Sequence, residues 1–287
     1  MLIKRKLKKF MRVAMRILPA PLFIRIKYFR SFKKFPDLKN PKTYNEKLQW
    51  LKLHDKNPEY TKLVDKYEVR EFVKERIGEE HLIPLIGLWN SEEEIDFDKL
   101  PEQFVIKCTH TSGVGIHICK DKSKLDVDAV KKDLKRGLKQ NYYWQGREWP
   151  YKNIKPRVLA EKFMVDESGT ELKDYKFFCF DGKPEFLFIA TGRPYDTRFD
   201  FYDVEFNHLP FTNGHPNADY ELKKPEKFEE MIEIASKLSK GLKQSRIDLY
   251  NINGKIYFGE ITFFHWDGYV PFEPEEWDYK FGEYIKL

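Results

Sequence analysis

Two dipeptides, Asp181-Gly182 and Asn253-Gly254, restrict what this 287-residue chain can fold into. Each separates two runs of strand-forming residues: Tyr175 to Phe180 from Pro184 to Ala190, and Ser245 to Ile252 from Lys255 to Phe263. Asx-Gly pairs suit the two-residue turns whose twist matches antiparallel strands, because both central residues take positive φ. Each pair therefore predicts a hairpin. Phe104 to Cys108 and Ile116 to Cys119 predict a third, with the small polar loop Thr109 to Gly115 at its tip, and Arg157 to Met164 reads as a further strand. Helical periodicity covers Thr43 to His54, Lys62 to Ile77, Asp126 to Leu138 and Lys227 to Leu242, with Gly78 stopping the second. Asn141 to Tyr151 reads as an aromatic, polar loop. Helices alternating in blocks with antiparallel hairpins predict an α+β protein of closely packed lobes rather than one parallel sheet.

Charge is divided unevenly along the chain. Residues 1 to 36 hold twelve Lys or Arg and no acid, so the remainder carries 40 bases against 46 acids. Within the basic part, Ile3, Leu7, Phe10, Met11, Ala14, Ile17 and Leu18 fall on one helical face, and the charges opposite are all basic. That pattern suits a helix lying in an anionic lipid interface. A nucleic-acid arm needs no such ordered apolar stripe, so no nucleic-acid partner is expected. No stretch is long enough to span a bilayer, since Ile17 to Ile24 is interrupted by Pro19 and Pro21. Arg25, Lys27 and Arg30 follow at once, which does not fit a secretory signal. The expected setting is cytoplasmic, peripheral at the inner face of the membrane. Hydrophobic residues at 41% and aromatics at 16% exclude a disordered body. The three cysteines, Cys108, Cys119 and Cys179, lack the spacing of a zinc or redox site, so a reducing compartment and buried thiols are expected.

Three sets of residues carry chemistry. Lys107 precedes the loop with Thr111, Ser112, Gly113, Val114 and Gly115, whose small residues let backbone amides approach an anion while the lysine adds charge. The spacing is neither a P-loop nor a dinucleotide fingerprint. In the last hairpin, period-two alternation directs Arg246, Asp248 and Tyr250 to one face, with Glu260 and Thr262 opposite them across the ladder. Two carboxylates so placed can hold Mg²⁺ that also bridges phosphates; the same residues equally suit an ion pair on a solvated sheet. The third set is Glu161, Asp174 and Lys176, placed around a turn at Asp166 to Gly169. There Glu161 and the backbone can address an adenine, Asp174 a ribose and Lys176 a phosphate, and each also reads as ordinary surface charge.

The order of these pieces resembles the ATP-grasp series. Residues from about 40 to 283 are similar to the TupA-like ATP-grasp family, associated with teichuronopeptide and related surface-polysaccharide biosynthesis. The similarity rests on Asn45-Glu46-Lys47-Leu48-Gln49-Trp50, Val64 to Arg70, Asp174 to Gly182 and Gly259 to Phe263. The resemblance implies two α+β lobes that sandwich ATP, with a division at 1–36 (basic amphipathic segment), 37–100 (helical, substrate region), 101–164 (first lobe with the phosphate loop) and 165–287 (second lobe with the metal site). It implies Lys107, Lys176 and the Thr111 to Gly115 loop on phosphates, and Glu161, Lys162, Phe163 and Met164 on adenine. Asp174 would take the ribose, Asp248, Glu260 and Thr262 the Mg²⁺, and Arg246 with Lys176 the catalysis. Thr262 stands where most ATP-grasp enzymes have Asn, which implies a less firmly held second metal. The segment from His265 to Tyr269 is bulkier than the family pattern. The implied reaction joins a carboxylate to an amine through an acyl-phosphate, with an acidic or lipid-linked glycan precursor and an amino acid as substrates. Two rivals remain: an inactive membrane-bound scaffold, and a glycosyltransferase using Asp126-Val127-Asp128 or Asp203-Val204-Glu205. The first of those motifs reads better as a helix cap.

Overall fold

The computed structural model describes residues 15–166, 168–169, 172–193 and 195–287. Most of the basic segment expected to be helical over 3–18 lies outside the described residues; 15–17 are helical. Helix α1 (Ala20–Phe32) starts behind Pro19 and buries Phe23, Ile24 and Tyr28.

Helix α2 (Tyr44–His54) opens with a reciprocal cap. The Thr43 hydroxyl accepts the Glu46 amide at 3.2 Å, and the Glu46 carboxylate accepts the amides of Thr43, Lys42 and Asp37. One side chain thus caps a helix and pins the preceding Pro36 to Pro41 linker.

The helix expected from Lys62 to Ile77 is two: α3 (Tyr60–Val64) and α4 (Val69–Ile77). Between them the Asp65 carboxylate accepts the amides of Tyr67 and Glu68 at 2.8 and 3.1 Å. A local side-chain acceptor so close to the backbone competes with the helical ladder and breaks it.

Strands β1 (Leu85–Trp89), β2 (Phe104–Cys108), β3 (Ile116–Cys119) and β4 (Val158–Lys162) form an antiparallel sheet in the order β1-β4-β2-β3. Helix α5 (Val127–Leu138) packs on it through Val130 and Leu134. Asp126 accepts the Ala129 amide at 2.9 Å, so the first motif offered for a glycosyltransferase metal is a helix cap. A short α6 (Tyr143–Gly146) lies within the segment expected as a loop.

The second sheet runs β11-β10-β5-β6-β7-β8, built from β5 (Asp174–Phe180), β6 (Lys183–Thr191), β7 (Arg198–Asp203), β8 (His208–Leu209), β10 (Gln244–Ile252) and β11 (Lys255–Thr262). All its pairs are antiparallel. Asp181-Gly182 and Asn253-Gly254 turn with φ of 53° and 79°, and 52° and 75°, as the sequence expects. Helix α7 (Phe228–Ser239) backs this sheet, and β9 (Thr212–Asn213) pairs β12 (Phe272–Glu273) before the last helix, α8 (Glu276–Tyr284). In the second glycosyltransferase candidate, Asp203 accepts the backbone and side-chain amides of Asn207 and serves a turn.

Two separate apolar cores define two lobes. Phe104, Ile106, Cys108, Val158, Ala160 and Leu134 gather beneath the first sheet, and a larger, Phe-rich core lies beneath the second. Segment 37–100, expected as a region of its own, divides between them: Tyr44 to Leu82 join the larger core, Ile95 to Leu100 the smaller. Tyr44 meets Phe178, Phe180, Phe272 and Phe281 edge-on at 6.1, 6.4, 6.0 and 5.8 Å. Contacts of this kind contribute about 0.5–1.5 kcal/mol each beyond burial and fasten α2 to the second lobe. Cys108, Cys119 and Cys179 are free and buried, and burial pushes Cys108 and Cys179 up to about 11 and about 12, which leaves them inert thiols.

Candidate active site

Neighbouring strands bring the polar face of the second sheet together. Asp248 of β10 pairs with Glu260 of β11 on one side and Lys176 of β5 on the other, while Arg246 faces Thr262. Alternation in the sequence puts Arg246 and Asp248 on one face, and Glu260 with Thr262 on the facing strand; the contribution of β5 comes only from the fold. Asp248 accepts Arg246 Nε at 2.7 Å and Nη2 at 2.8 Å, and Lys176 Nζ also contacts it. Arg246 Nη2 reaches Glu260 at 3.1 Å and the Thr262 hydroxyl at 3.1 Å, and that hydroxyl donates to Glu260 at 3.3 Å.

Asp248 is 1% exposed. Burial pushes its carboxyl above the ordinary range against the pull of Arg246 and Lys176, with Glu260 adding to the rise. Burial also opposes Glu260, whose carboxyl Lys176 and Arg246 nevertheless hold down at about 2. A carboxylate disfavoured by burial beside a second one gains from a divalent cation. Glu260 keeps 42% of its side chain exposed, so a ligand can reach it. Among the described residues no group of three or more His, Cys, Asp or Glu side chains gathers to hold a metal. The oxygens of Asp248, Glu260 and Thr262 make a small, hard donor set, the kind of ligand Mg²⁺ takes.

A bulge sits beside this pair. The β10–β11 register shifts between Asp248 and Leu249, so Gly259 is the extra residue between Glu260 and Phe258. Bulges of this kind re-aim side chains at sites. Gly259, Tyr250, Lys66, Arg70, Lys107 and Glu161 line a cavity of about 20 Å³ in which the two lobes face each other. Lys107 thus points at the second sheet from β2, as the two-lobe arrangement requires. The slot has room for about one water.

Glu161, expected at the adenine, has both carboxylate oxygens occupied by cations, Lys107 at 2.6 Å and Arg70 at 3.1 Å. Lys162 and Phe163, the next residues, line a cavity of about 750 Å³ with Pro84, Ile86 and Lys120 on the other side of β4. Met164 is half-buried in the segment that follows. Asp174 contacts Lys176 at 3.3 Å and Arg193, and its Oδ1 is buried without a hydrogen-bond partner. An unsatisfied carboxylate oxygen of this kind is free to accept a hydroxyl.

The loop after β2 has a fixed base and an open tip. The Thr111 hydroxyl donates to Val114 O at 2.7 Å, the Gly115 amide donates to Asp133 at 3.0 Å, and Lys66 Nζ donates to Thr111 O at 2.7 Å. Gly113 and Gly115 take φ of 75° and 66°, while Ser112 and Gly113 are exposed at the tip.

Sequence reasoning missed four members of the site. Lys66 and Arg70 come from the break after α3 and from α4; the first is pushed down by burial, then held by Glu260. Arg193 reaches Asp174 from beyond β6. His265 Nδ1 accepts Arg246 Nη1 at 2.7 Å, so the proton lies on Nε2, which donates to Asn213 at 2.8 Å. Burial and then the Arg246 and Lys176 charges keep His265 neutral. The motifs hold Lys66 and Arg70 as letters, but nothing local in the sequence pairs His265 with Asn213, 52 residues away.

The conserved pattern of the family described as TupA-like ATPgrasp matches residues 46–286. No curated protein matches the chain. Solved structures with similarity include D-alanine–D-alanine ligase from Helicobacter pylori, at 16% identity over 70% of this chain and 54% of that one, TM-score 0.36. The enzyme from Bacillus anthracis complexed with ATP gives 17%, 70%, 53% and 0.39. The ATP-grasp ligase PsnB complexed with minimal precursor, Mg and ADP gives 11%, 76%, 57% and 0.38. The chain spans about half the length of these proteins. With 46–286 matched, which takes in both sheets and every site residue above, the chain belongs to the TupA-like ATP-grasp family.

Proposed function

We propose that this protein is an ATP-dependent carboxylate–amine ligase. The observation that carries the reading is the meeting of Arg246, Asp248, Lys176 and Glu260 on one sheet face, beside a slot in which Lys66 and Lys107 meet Tyr250 and Gly259 of the same sheet. Lys107, Lys176 and the tip at Thr111 to Gly115 hold the phosphates of ATP. The segment Glu161 to Met164 borders the adenine, Asp174 accepts the ribose hydroxyls, and Asp248 and Glu260 with Thr262 hold Mg²⁺. The metal supplies charge neutralisation on the phosphate oxygens. The substrate carboxylate attacks the γ-phosphorus, its bond to the β–γ bridging oxygen breaks, and ADP leaves. The amine then adds to the acyl-phosphate carbon, and phosphate departs as the amide forms. Arg246 is held in place by Asp248 and His265, so its fixed charge faces the negative charge that develops in both steps.

The substrate carboxylate belongs, in this reading, to an acidic glycan precursor and the amine to an amino acid. The basic segment 1–35 keeps the enzyme on an anionic, cytoplasmic membrane face where lipid-linked acceptors reside. No helix of the described residues is long and apolar enough to cross a membrane. Thermal shift and ADP release test the reading together. Mg-ATP is expected to raise the melting temperature while UDP- and GDP-sugars do not, and ADP release is expected to rise when amino acid and uronate acceptor are both present. Stabilisation by a nucleotide sugar but not by Mg-ATP points to a glycosyltransferase; Mg-ATP binding with no ADP release under any substrate pair points to a scaffold.

A further inference from the structure

A cavity of about 800 Å³ opens between α1, the end of α5 and α6. Twelve residues line it, and four are cations, Arg16, Lys27, Arg30 and Lys139, with no acid among the twelve. Lys27 is tied down, its Nζ donating to Gln145 O at 2.8 Å and to Asp267 at 3.2 Å, and it stands 4.2 Å from the Tyr269 ring centre. Among the described residues none of the other three makes an ion pair. Amides from Gln140 and Asn141 and the ring of Trp144 complete the wall.

Placement adds to composition. Val114, at the tip of the loop after β2, lines the same cavity, so it borders the proposed phosphate site. Lys27 joins it on the opposite side to Asp267, in the turn that follows β11 and its metal-binding pair. The N-terminal wall is anchored: Arg147 Nη2 donates to the carbonyls of Met15, Arg16 and Leu18 at 3.0, 3.0 and 2.9 Å, and its guanidinium lies 4.6 Å from the Phe23 ring centre. Three of the four cations come from residues 15–30, outside the family match at 46–286.

We propose that this cavity is the acceptor site and that it binds an anionic oligosaccharide, Arg16, Lys27, Arg30 and Lys139 reading its carboxylates while the Gln140 amide takes a hydroxyl. The volume suits a ligand of a few sugar rings, and Arg16, Arg30 and Lys139, which make no ion pair among the described residues, gain most from an anion. The proposal rests on the ligase reading for its meaning, since the cavity adjoins the loop that closes on ATP.

The test is calorimetric titration of the full-length protein, wild type and Arg30→Glu/Lys139→Glu, with tetragalacturonate, with maltotetraose as a neutral control, and separately with Mg-ATP. Arg30 and Lys139 are exposed, so the double variant is expected to melt as the wild type does; Arg30→Gln/Lys139→Gln serves if it does not. Tetragalacturonate is expected to bind the wild type, more weakly as salt rises, and at least tenfold more weakly to the variant, while maltotetraose does not bind and Mg-ATP binds both proteins alike. Equal tetragalacturonate affinity in wild type and variant, equal binding of maltotetraose, or no binding of tetragalacturonate overturns the proposal. Phosphatidylglycerol vesicles give the other arm: vesicle binding lost in the variant without tetragalacturonate binding makes this wall a membrane contact and overturns the acceptor site. If Mg-ATP fails to bind while the tetragalacturonate difference holds, the ligase reading falls and the anionic-sugar site stands.

Discussion

Replacing Asp248 by Ala exposes how the candidate site is held together. Asp248 is buried and accepts Arg246 Nε and Nη2 at 2.7 and 2.8 Å while also contacting Lys176. Its removal leaves two cations, Arg246 and Lys176, without the buried acid they share. Breaking a buried pair by deleting one partner costs about 3–5 kcal/mol. Each cation retains a second acid, Arg246 with Glu260 at 3.1 Å and Lys176 with Asp174 at 3.3 Å, so the lower end, about 3 kcal/mol, applies here. In a chain of this size that lowers the melting temperature by roughly 6–12 °C. Arg246→Met/Asp248→Leu/Lys176→Met removes all three charges together and is expected to recover most of the loss, because a well-packed apolar replacement of a buried ion pair is often neutral. Scanning calorimetry in EDTA without nucleotide reads both. A melting point for Asp248→Ala within about 1 °C of wild type, or a triple variant as unstable as the single one, would refute the reasoning, given the size of the expected shift.

Other perturbations have equally defined outcomes. Burial raises Asp278 to about 6, although Asn45 and Thr43 donate to it. The unfolded carboxyl ionises near 3.8, so stability from this group is full below that pH and lost as pH rises through about 6. Asp278→Asn should therefore exceed wild type by up to about 3 kcal/mol at pH 7.5 and by little at pH 3.8, read from urea unfolding at the two pH values. Glu148 is pushed well up by burial and by the Asp267 charge, while Asp267, despite burial, is pulled down by a Glu148 hydrogen bond and by Lys52 and Lys27. Glu148 thus carries the proton, so Glu148→Gln is expected to melt near wild type and Asp267→Asn to lose about 2 kcal/mol with its charge-assisted bonds; the reverse order would mean the proton sits on Asp267. Arg147→Ala removes three bonds to the carbonyls of residues 15, 16 and 18, and limited trypsinolysis after Arg16 should speed up about tenfold or more, with no change counting against the anchor.

Much of this architecture was legible where the information is local. Asp181-Gly182 and Asn253-Gly254 specify their turns within two residues, and period-two alternation puts Arg246 with Asp248 and Glu260 with Thr262; the turn's register alone would set Asp248 against Gly259, and the bulge at Gly259 is what brings Glu260 opposite Asp248. Lys176 opposite Asp248 was not legible as geometry, since β5 and β10 are separated by more than sixty residues and meet through the Phe-rich core beneath them. The break at Asp65 was missed because periodicity continues across it; the competing signal is a single carboxylate that captures the Tyr67 and Glu68 amides. Segment 37–100 looked independent in sequence, yet its apolar residues are shared between cores on both sides of the slot. The His265–Asn213 support for Arg246 joins residues 52 apart in sequence, beyond the reach of any local pattern.

The central claim is that lysines of one lobe and acids of the other close on a magnesium nucleotide. Calorimetric titration of Mg-ATP into wild type, Lys107→Met and Asp248→Asn measures it directly. One nucleotide is expected to bind per wild-type chain, with each substitution weakening it by roughly 10- to 100-fold, the worth of one charge-assisted contact. Equal affinity in all three proteins, or none in the wild type, would contradict the account.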